Sequence, residues 1–413
     1  MASDLAAWSP LWRQWTWSSD ITQRSVPVAE WSLSDNPILA DLQRAVAIES
    51  INPALPGGDR GEAAMVEFTR AFFAECGVAC ETEEVLPDRC NVVATLPGRD
   101  PDRVLLFESH IDTASTQGMT IDPFAPHIRD GMLYGRGSCD TKAGGIAMMH
   151  AMRRIAESGE PPPSTIQFAG AMDEEHTFKG ALALAQSTRA SAVVVSEPTD
   201  LAVIRAHNGL ARFLIHVTGV AAHSSKPELG VNAISKMARI VTAIEDEIET
   251  SYAALRHPLT GHPRLNVGVI QGGVQINFVP DHCVIEVDRR VIPGEDPLET
   301  VRPFRELLAR LASEDPELDA QLEAPFLLDN SMETPEDAEI VQVAAAACEA
   351  TLGASTIDGV PYGTDASKFT AIGIPSIVLG PGCIDQAHAA VEWVECQQVL
   401  DATDIYYEIM RRF

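Results

Sequence analysis

Basic residues are scarce in this chain. Thirty lysines and arginines face 59 aspartates and glutamates, a formal net charge of −29. A nucleic acid or an anionic membrane needs clustered positive charge, so neither is expected as a partner. Paired cysteines are missing as well. The eight thiols, at 76, 80, 90, 139, 283, 348, 383 and 396, are scattered and form no CxxC pair. That spacing excludes a disulfide framework and a thiolate zinc site. No apolar run approaches the ~20 residues of a spanning helix. The first residues show no basic region followed by an apolar one, so no secretory signal is expected and a reducing cytoplasm is. Internal repeats and low-complexity tracts are absent.

What remains is the composition of a soluble globular protein, 46% hydrophobic and 22% charged over 413 residues, long enough for two domains. Five of the six tryptophans (Trp8, Trp12, Trp15, Trp17 and Trp31) crowd into residues 1–35. The helical spacing of the first three predicts an N-terminal extension that packs on the body or on a second subunit. Helices are predicted at 38–48 and 62–76, the second with Met65, Phe68, Phe72 and Phe73 on or near one face. Strands at 91–96, 104–107, 165–172 and 192–195 then alternate with helices at 143–157 and 180–186, around a glycine-containing loop at 133–140. Such alternation predicts an α/β layered domain with a mixed, mostly parallel sheet.

From about Leu210 the order changes. Strand 213–218, helix 231–251, strands 264–271 and 283–289, helix 297–312 and a last strand near 321–324 spell β-α-β-β-α-β, a ferredoxin-like unit. In the long helix of this unit, Ile234, Ala238, Val241, Ile244 and Ile248 form the expected inward stripe. Helices at 336–352 and 396–413 and a strand at 376–379 resume the first pattern. The expected division is a domain of residues 1–210 and 325–413, interrupted by an inserted domain at 211–324.

Acids and histidines follow the apolar runs of the first domain. His110 and Asp112 come after 104–107, Asp173, Glu174 and Glu175 after 165–172, and Glu197 after 192–195. His388 follows the Gly380-Pro381-Gly382 turn, and Asp140 precedes the helix at 143. In open α/β sheets, sites form beyond the carboxyl ends of the strands. Each residue also has a structural explanation: Asp140 as a helix N-cap, Glu174 and Glu175 as first-turn acids, Glu197 as part of a solvated turn, His388 as a packed loop residue. Jointly these require five independent accidents at one sheet edge. Two histidines and three carboxylates without thiolate suit zinc, manganese or cobalt. Five ligands exceed one catalytic zinc and suit two metals ~3.5–4 Å apart sharing a carboxylate.

The motifs SHIDTAS, GRGSCDTKAG, DEEHTFKGA, VSEPTD, GVAAHSSKPELGVNAI, the Gly272-Gly273 segment reaching Asn277 and Pro280, Asp288-Arg289-Arg290 with Pro293, YGTDASKF and GPGCIDQAH stand in this order. Over roughly residues 37–413 the chain resembles the M20 metallopeptidases, in the branch of acetylornithine deacetylase and succinyl-diaminopimelate desuccinylase. The resemblance implies a zinc-peptidase-like catalytic domain with an inserted lid or dimerisation domain. It implies His110 and Glu197 on one metal, Glu175 and His388 on the other, and Asp140 bridging. Asp112 would orient His110, and Glu174 would be general base and acid, acting on a metal-bridging hydroxide. His223 and Asn277 would reach the partner subunit's site in a homodimer and steady an oxyanion, and Arg290 would bind a substrate carboxylate. The implied activity is hydrolysis of an N-acyl amino acid or similar small amide. Dipeptide or carboxypeptidase cleavage, aryl-amine release and a non-catalytic dimeric binding protein are the alternatives. The chain departs from the branch at His176-Thr177-Phe178-Lys179, at Ala389-Ala390-Val391-Glu392 and at His207-Asn208-Gly209, which leaves acyl group and amine open.

Overall fold

The computed structural model describes residues 36–413. The tryptophan-rich extension lies outside the described residues.

The larger sheet is mixed. Strands Ala79–Leu86, Arg89–Leu96, Ser164–Ala171, Asp100–His110, Ala192–Val195, Ser376–Val378, Val203–His207 and Met332–Glu333 lie side by side in that order, and Ile357–Val360 also pairs with Val203–His207. Its centre is parallel: Asp100–His110 pairs in parallel with Ser164–Ala171 and Ala192–Val195, and Ser376–Val378 pairs in parallel with Ala192–Val195. Both flanks carry antiparallel pairs, and on one of them Ile357–Val360 joins Val203–His207 in parallel. The central strands are nearly continuous apolar runs because helices cover both faces. Helices Pro37–Val46, Ala63–Glu75, Lys142–Ser158, Glu339–Leu352 and Cys396–Arg412 pack on one face, around Phe73, Phe107, Phe168 and Tyr406. The short helices Lys179–Ser187 and Ala366–Thr370 cover the other through Leu184 and Phe369.

The second sheet is antiparallel. Strands Arg264–Gly272, His282–Val291, Gly209–Thr218 and Asp319–Leu322 lie in that order, the spatial order of a ferredoxin-like unit. Helices Ala233–Ala243 and Arg302–Glu314 close one face over a core of its own, with Phe213, Ile215, Met237 and Phe304 fully buried.

The structure corrects several expectations. The helix predicted for 231–251 is α-helical only to Ala243 and continues as a wider turn over Ile244–Glu249. Its buried stripe is Ala233, Met237, Ile240, Ile244 and Ile248; Ile234 is 40% exposed, one position off the inward face. The loop predicted at 133–140 opens with a strand, Met132–Tyr134, paired with Trp393–Glu395. Ala79–Leu86 was not predicted because its Glu81, Glu83 and Glu84 give no apolar alternation; it is a flanking strand held by main-chain pairing to Arg89–Leu96.

Candidate metal centre

Four neighbouring parallel strands end at the same edge of the large sheet, and their chain exits carry the site. His110 is the last residue of its strand. Its Nδ1 faces the carbonyl oxygen of Asp112 at 3.0 Å and the Asp112 carboxylate at 3.6 Å. Its Nε2 lies 3.0 Å from Asp140 Oδ1 and 3.7 Å from Glu197 Oε1. The other Asp140 oxygen, Oδ2, lies 3.2 Å from His388 Nε2, which is 3.0 Å from Glu175 Oε2. One carboxylate therefore touches two imidazoles that belong to two donor groups. His110, Glu174 and Glu197 form the first group and Asp140, Glu175 and His388 the second, each with donor atoms within 4.8 Å of one another. All five expected ligands converge here, and Glu174, expected as the base, stands inside the first group.

The structural explanations fail one by one. Helix Lys142–Ser158 receives no side-chain cap, and the Asp140 carboxylate points at histidines instead. Glu174 and Glu175 are not first-turn acids, since the next helix starts at Lys179. Glu197 is buried rather than solvated. His388 is half-exposed with φ +57, a backbone conformation uncommon outside glycine.

The electrostatics match a cation site. Asp140, Glu174, Glu175 and Glu197 crowd together with no lysine or arginine paired to them among the described residues. Burial raises Glu174, Glu175 and Glu197, and neighbouring carboxylates, Asp140 among them, raise each further. Burial alone would lower His110, but Asp112 and Asp140 outweigh it and pull its pKa well up. Hydrogen bonds donated to the Asp140 and Glu175 carboxylates push His388 up to about 11. Burial would raise Asp140, yet His110 and His388 hold it below the usual carboxylate range. Four carboxylates with oxygen and nitrogen donors only are balanced in charge by two divalent cations, so the residues fit such a pair.

Around these donors stands a frame of which the sequence pointed only to Asp112. The Asp112 carboxylate accepts the main-chain N–H groups of Glu174 and Glu175, both at 3.1 Å, so it shapes the turn that carries them. Buried Asn52 donates to Asp112 at 2.7 Å and to Asp173 at 3.1 Å, and Asp173 sits at φ +71. Glu392 is fully buried and holds the Asp140 loop by four bonds, from Arg136 Nη1 and from the N–H groups of Gly137, Cys139 and Asp140. Behind the donors, the carboxylates of Glu108 and Asp365 are buried with no hydrogen-bond partner among the described residues, and burial raises both. No local pattern marks Asn52 or Glu392, because each acts on a partner far along the chain.

A cavity of about 330 Å³ opens over the donors, lined also by His176, Phe178, Tyr362, Leu210, Arg212 and Arg290. Arg290 therefore lines the same cavity as the donor groups. His223 and Asn277 are not in the cavity wall. His223 is exposed on a small ribbon where Ala222–His223 pairs with Phe278–Val279, and Asn277 immediately precedes the second strand, its carbonyl accepting the Ser224 N–H at 3.0 Å.

Residues 106–412 match the family model for peptidase family M20/M25/M40. An acetylornithine deacetylase from Myxococcus xanthus is 29% identical over 378 residues, 87% of this chain and 93% of that protein. A tripeptidase from Staphylococcus aureus superposes with a TM-score of 0.75 at 21% identity, covering 91% of this chain and 97% of the other. A dinuclear metal-binding M20 peptidase from Bacillus subtilis does so with a TM-score of 0.67 at 17% identity, over 90% and 95%. With the donor groups assembled at its sheet edge and the family match spanning most of its length, the chain belongs to peptidase family M20/M25/M40 and is a metal-dependent hydrolase of amide bonds.

Proposed function

We propose that the protein hydrolyses the amide bond of a small N-acyl amino acid at two divalent cations, zinc in the first instance. His110 and Glu197 would hold one ion, Glu175 and His388 the other, with Asp140 between them. The observation that carries this reading is Asp140, whose two oxygens lie 3.0 and 3.2 Å from imidazoles of different donor groups. Bound there, two cations lower the pKa of a water and polarise the amide carbonyl.

The side chains do the rest. Glu174 removes a proton from the attacking water. The water oxygen bonds to the carbonyl carbon, the C–N bond breaks, and Glu174 returns the proton to the departing nitrogen. Asp112 orients His110 and, through two main-chain bonds, the turn bearing Glu174. Arg290 takes the substrate carboxylate.

Residues 211–324 serve as lid and dimerisation domain on the catalytic domain of 1–210 and 325–413. Strand Arg264–Gly272 is a sheet edge, and Val274 and Ile276 beside it are 91% and 100% exposed. That supports a homodimer in which His223 and Asn277 complete the partner's site. All eight cysteines are free, in keeping with a reducing cytoplasm. Among the described residues no helix is long and apolar enough to cross a membrane.

Glu174→Gln should lower kcat at least a thousandfold while two zinc ions per chain remain by metal analysis. Retained turnover would remove Glu174 from the chemistry, and loss of both ions would make it a ligand instead.

A further inference from the structure

The cavity wall opposite the donor groups is cationic, in a chain whose net charge is −29. Arg212 and Arg290 both line it. Both are ion-paired through Nε to one shared carboxylate, Asp288, Arg212 by a hydrogen bond at 2.8 Å and Arg290 as a charge contact at 2.9 Å. Among the described residues, the terminal Nη atoms of both guanidiniums have no hydrogen-bond partner. Asp288 thus fixes the two side chains and leaves their outer N–H groups free for a ligand.

The register adds a third cation. Arg264 lies directly across from Arg290 on the neighbouring strand, so the two share a face of the sheet. Two other acids share that face: Asp329, in the row of Arg290 and Leu210, is ion-paired with Lys368 at 2.9 Å, and Glu286 pairs with Leu214, one row further from the cavity. The two lining guanidiniums against Asp288 leave one positive charge unbalanced in the cavity wall, and Arg264 stands beside them on the sheet. Apart from the donor groups, no carboxylate lines the cavity; Phe178, Leu210, Tyr362 and Ile384 supply its apolar and aromatic surface. An ammonium at the far end of a substrate would meet like charge and find no anion.

We infer that Arg212 is a specificity-determining residue and that the preferred substrate is a dicarboxylate, an N-acylated acidic amino acid, with Arg290 on one carboxylate and Arg212 on the other. This rests on the amide-hydrolase reading of the same site. Guanidinium–carboxylate hydrogen bonds are charge-assisted and bidentate where geometry allows, whereas an amide isostere offers neither the charge nor two acceptors.

Two measurements on the zinc-loaded, full-length protein test this. In calorimetry, glutarate should bind at least about tenfold more tightly than pentanoate, and Arg212→Gln should abolish most of that ratio while Arg212→Lys keeps part of it. In turnover, kcat/KM for N-acetylglutamate should exceed that for N-acetylglutamine by at least about tenfold and that for N-acetylornithine by more, with the first ratio collapsing in Arg212→Gln. Ratios unchanged in Arg212→Gln, or equal turnover of N-acetylglutamate and N-acetylglutamine, overturn the inference and leave the hydrolase reading intact. Glutarate discrimination that depends on Arg212, without turnover of any amide, supports the anion site and sinks the hydrolase reading instead.

Discussion

Glu392 offers the sharpest test of how the metal centre is held. It touches no substrate and is not among the donors, yet its carboxylate takes four bonds from the loop that ends in Asp140. Its partner Arg136 is 2% exposed and has one other acceptor, the Ser115 carbonyl at 2.8 Å. Glu392→Gln keeps the shape but removes the charge, and it turns an –NH2 toward groups that are all donors. Removing one partner of a buried ion pair costs about 3–5 kcal/mol, because the remaining charge stays buried and uncompensated. The orphaned N–H groups overlap with that cost and are not added to it. For a chain of this length the loss corresponds to a fall in Tm on the order of 3–6 °C. Since the Asp140 main chain loses its anchor, zinc affinity should also fall, about 10–100-fold. Thermal unfolding with and without excess zinc, together with a zinc titration against a competing chelator, measures both. A variant with unchanged Tm and zinc affinity would refute the view that Glu392 builds the site.

Two further consequences are open to experiment. His207 is fully buried between the Asn208 carbonyl and the Thr364 hydroxyl, and burial pushes its pKa down to about 4. The unfolded chain therefore binds a proton between about pH 6.5 and pH 4 that the folded chain refuses, so stability falls as pH drops through that window, by about 3 kcal/mol in full. Denaturant unfolding from pH 7 to 4 should show a shallower decline in His207→Gln than in the native protein; parallel curves would argue against a neutral buried imidazole. At Gly144, a Cβ would lie 1.5 Å from Ser196 Oγ, where helix Lys142–Ser158 crosses the strand exit leading to Glu197. Gly144→Ala should destabilise by about 1–3 kcal/mol or more through overpacking, and Ser196→Gly in the same chain should recover most of the loss in Tm; no recovery would place the strain elsewhere.

Much of this protein was legible in its order of residues. The alternation of apolar runs and helical stripes marked the layered α/β unit, and the change of order near Leu210 marked the antiparallel sheet that now carries Arg212 and Arg290. The donors were visible because strands deliver their last residues to one edge: His110, Glu174, Glu175 and Glu197 needed only the ends of apolar runs to be noticed. Local sequence failed where partners are remote or pairing is main-chain. Ala79–Leu86 is a strand despite its acids, since a flanking strand needs a neighbour more than a buried face. In the helix starting at Ala233 the expected stripe held at Ile244 and Ile248 but fell one position away in the first turns, at Ala233, Met237 and Ile240, because the docking surface sets a helix's rotation and periodicity alone does not.

Residue type and order were enough to say which chemistry the chain could perform. Only the folded arrangement decided that Asp140 turns one oxygen to each histidine rather than capping its helix. It alone set Asn52 beneath Asp112, Glu392 behind the Asp140 loop, and two arginines on one aspartate facing the donors. The reason is range: periodicity and motif spacing report on neighbours along the chain, whereas a carboxylate's charge and hydrogen bonds are set by whatever lies within a few ångströms, from any part of the sequence.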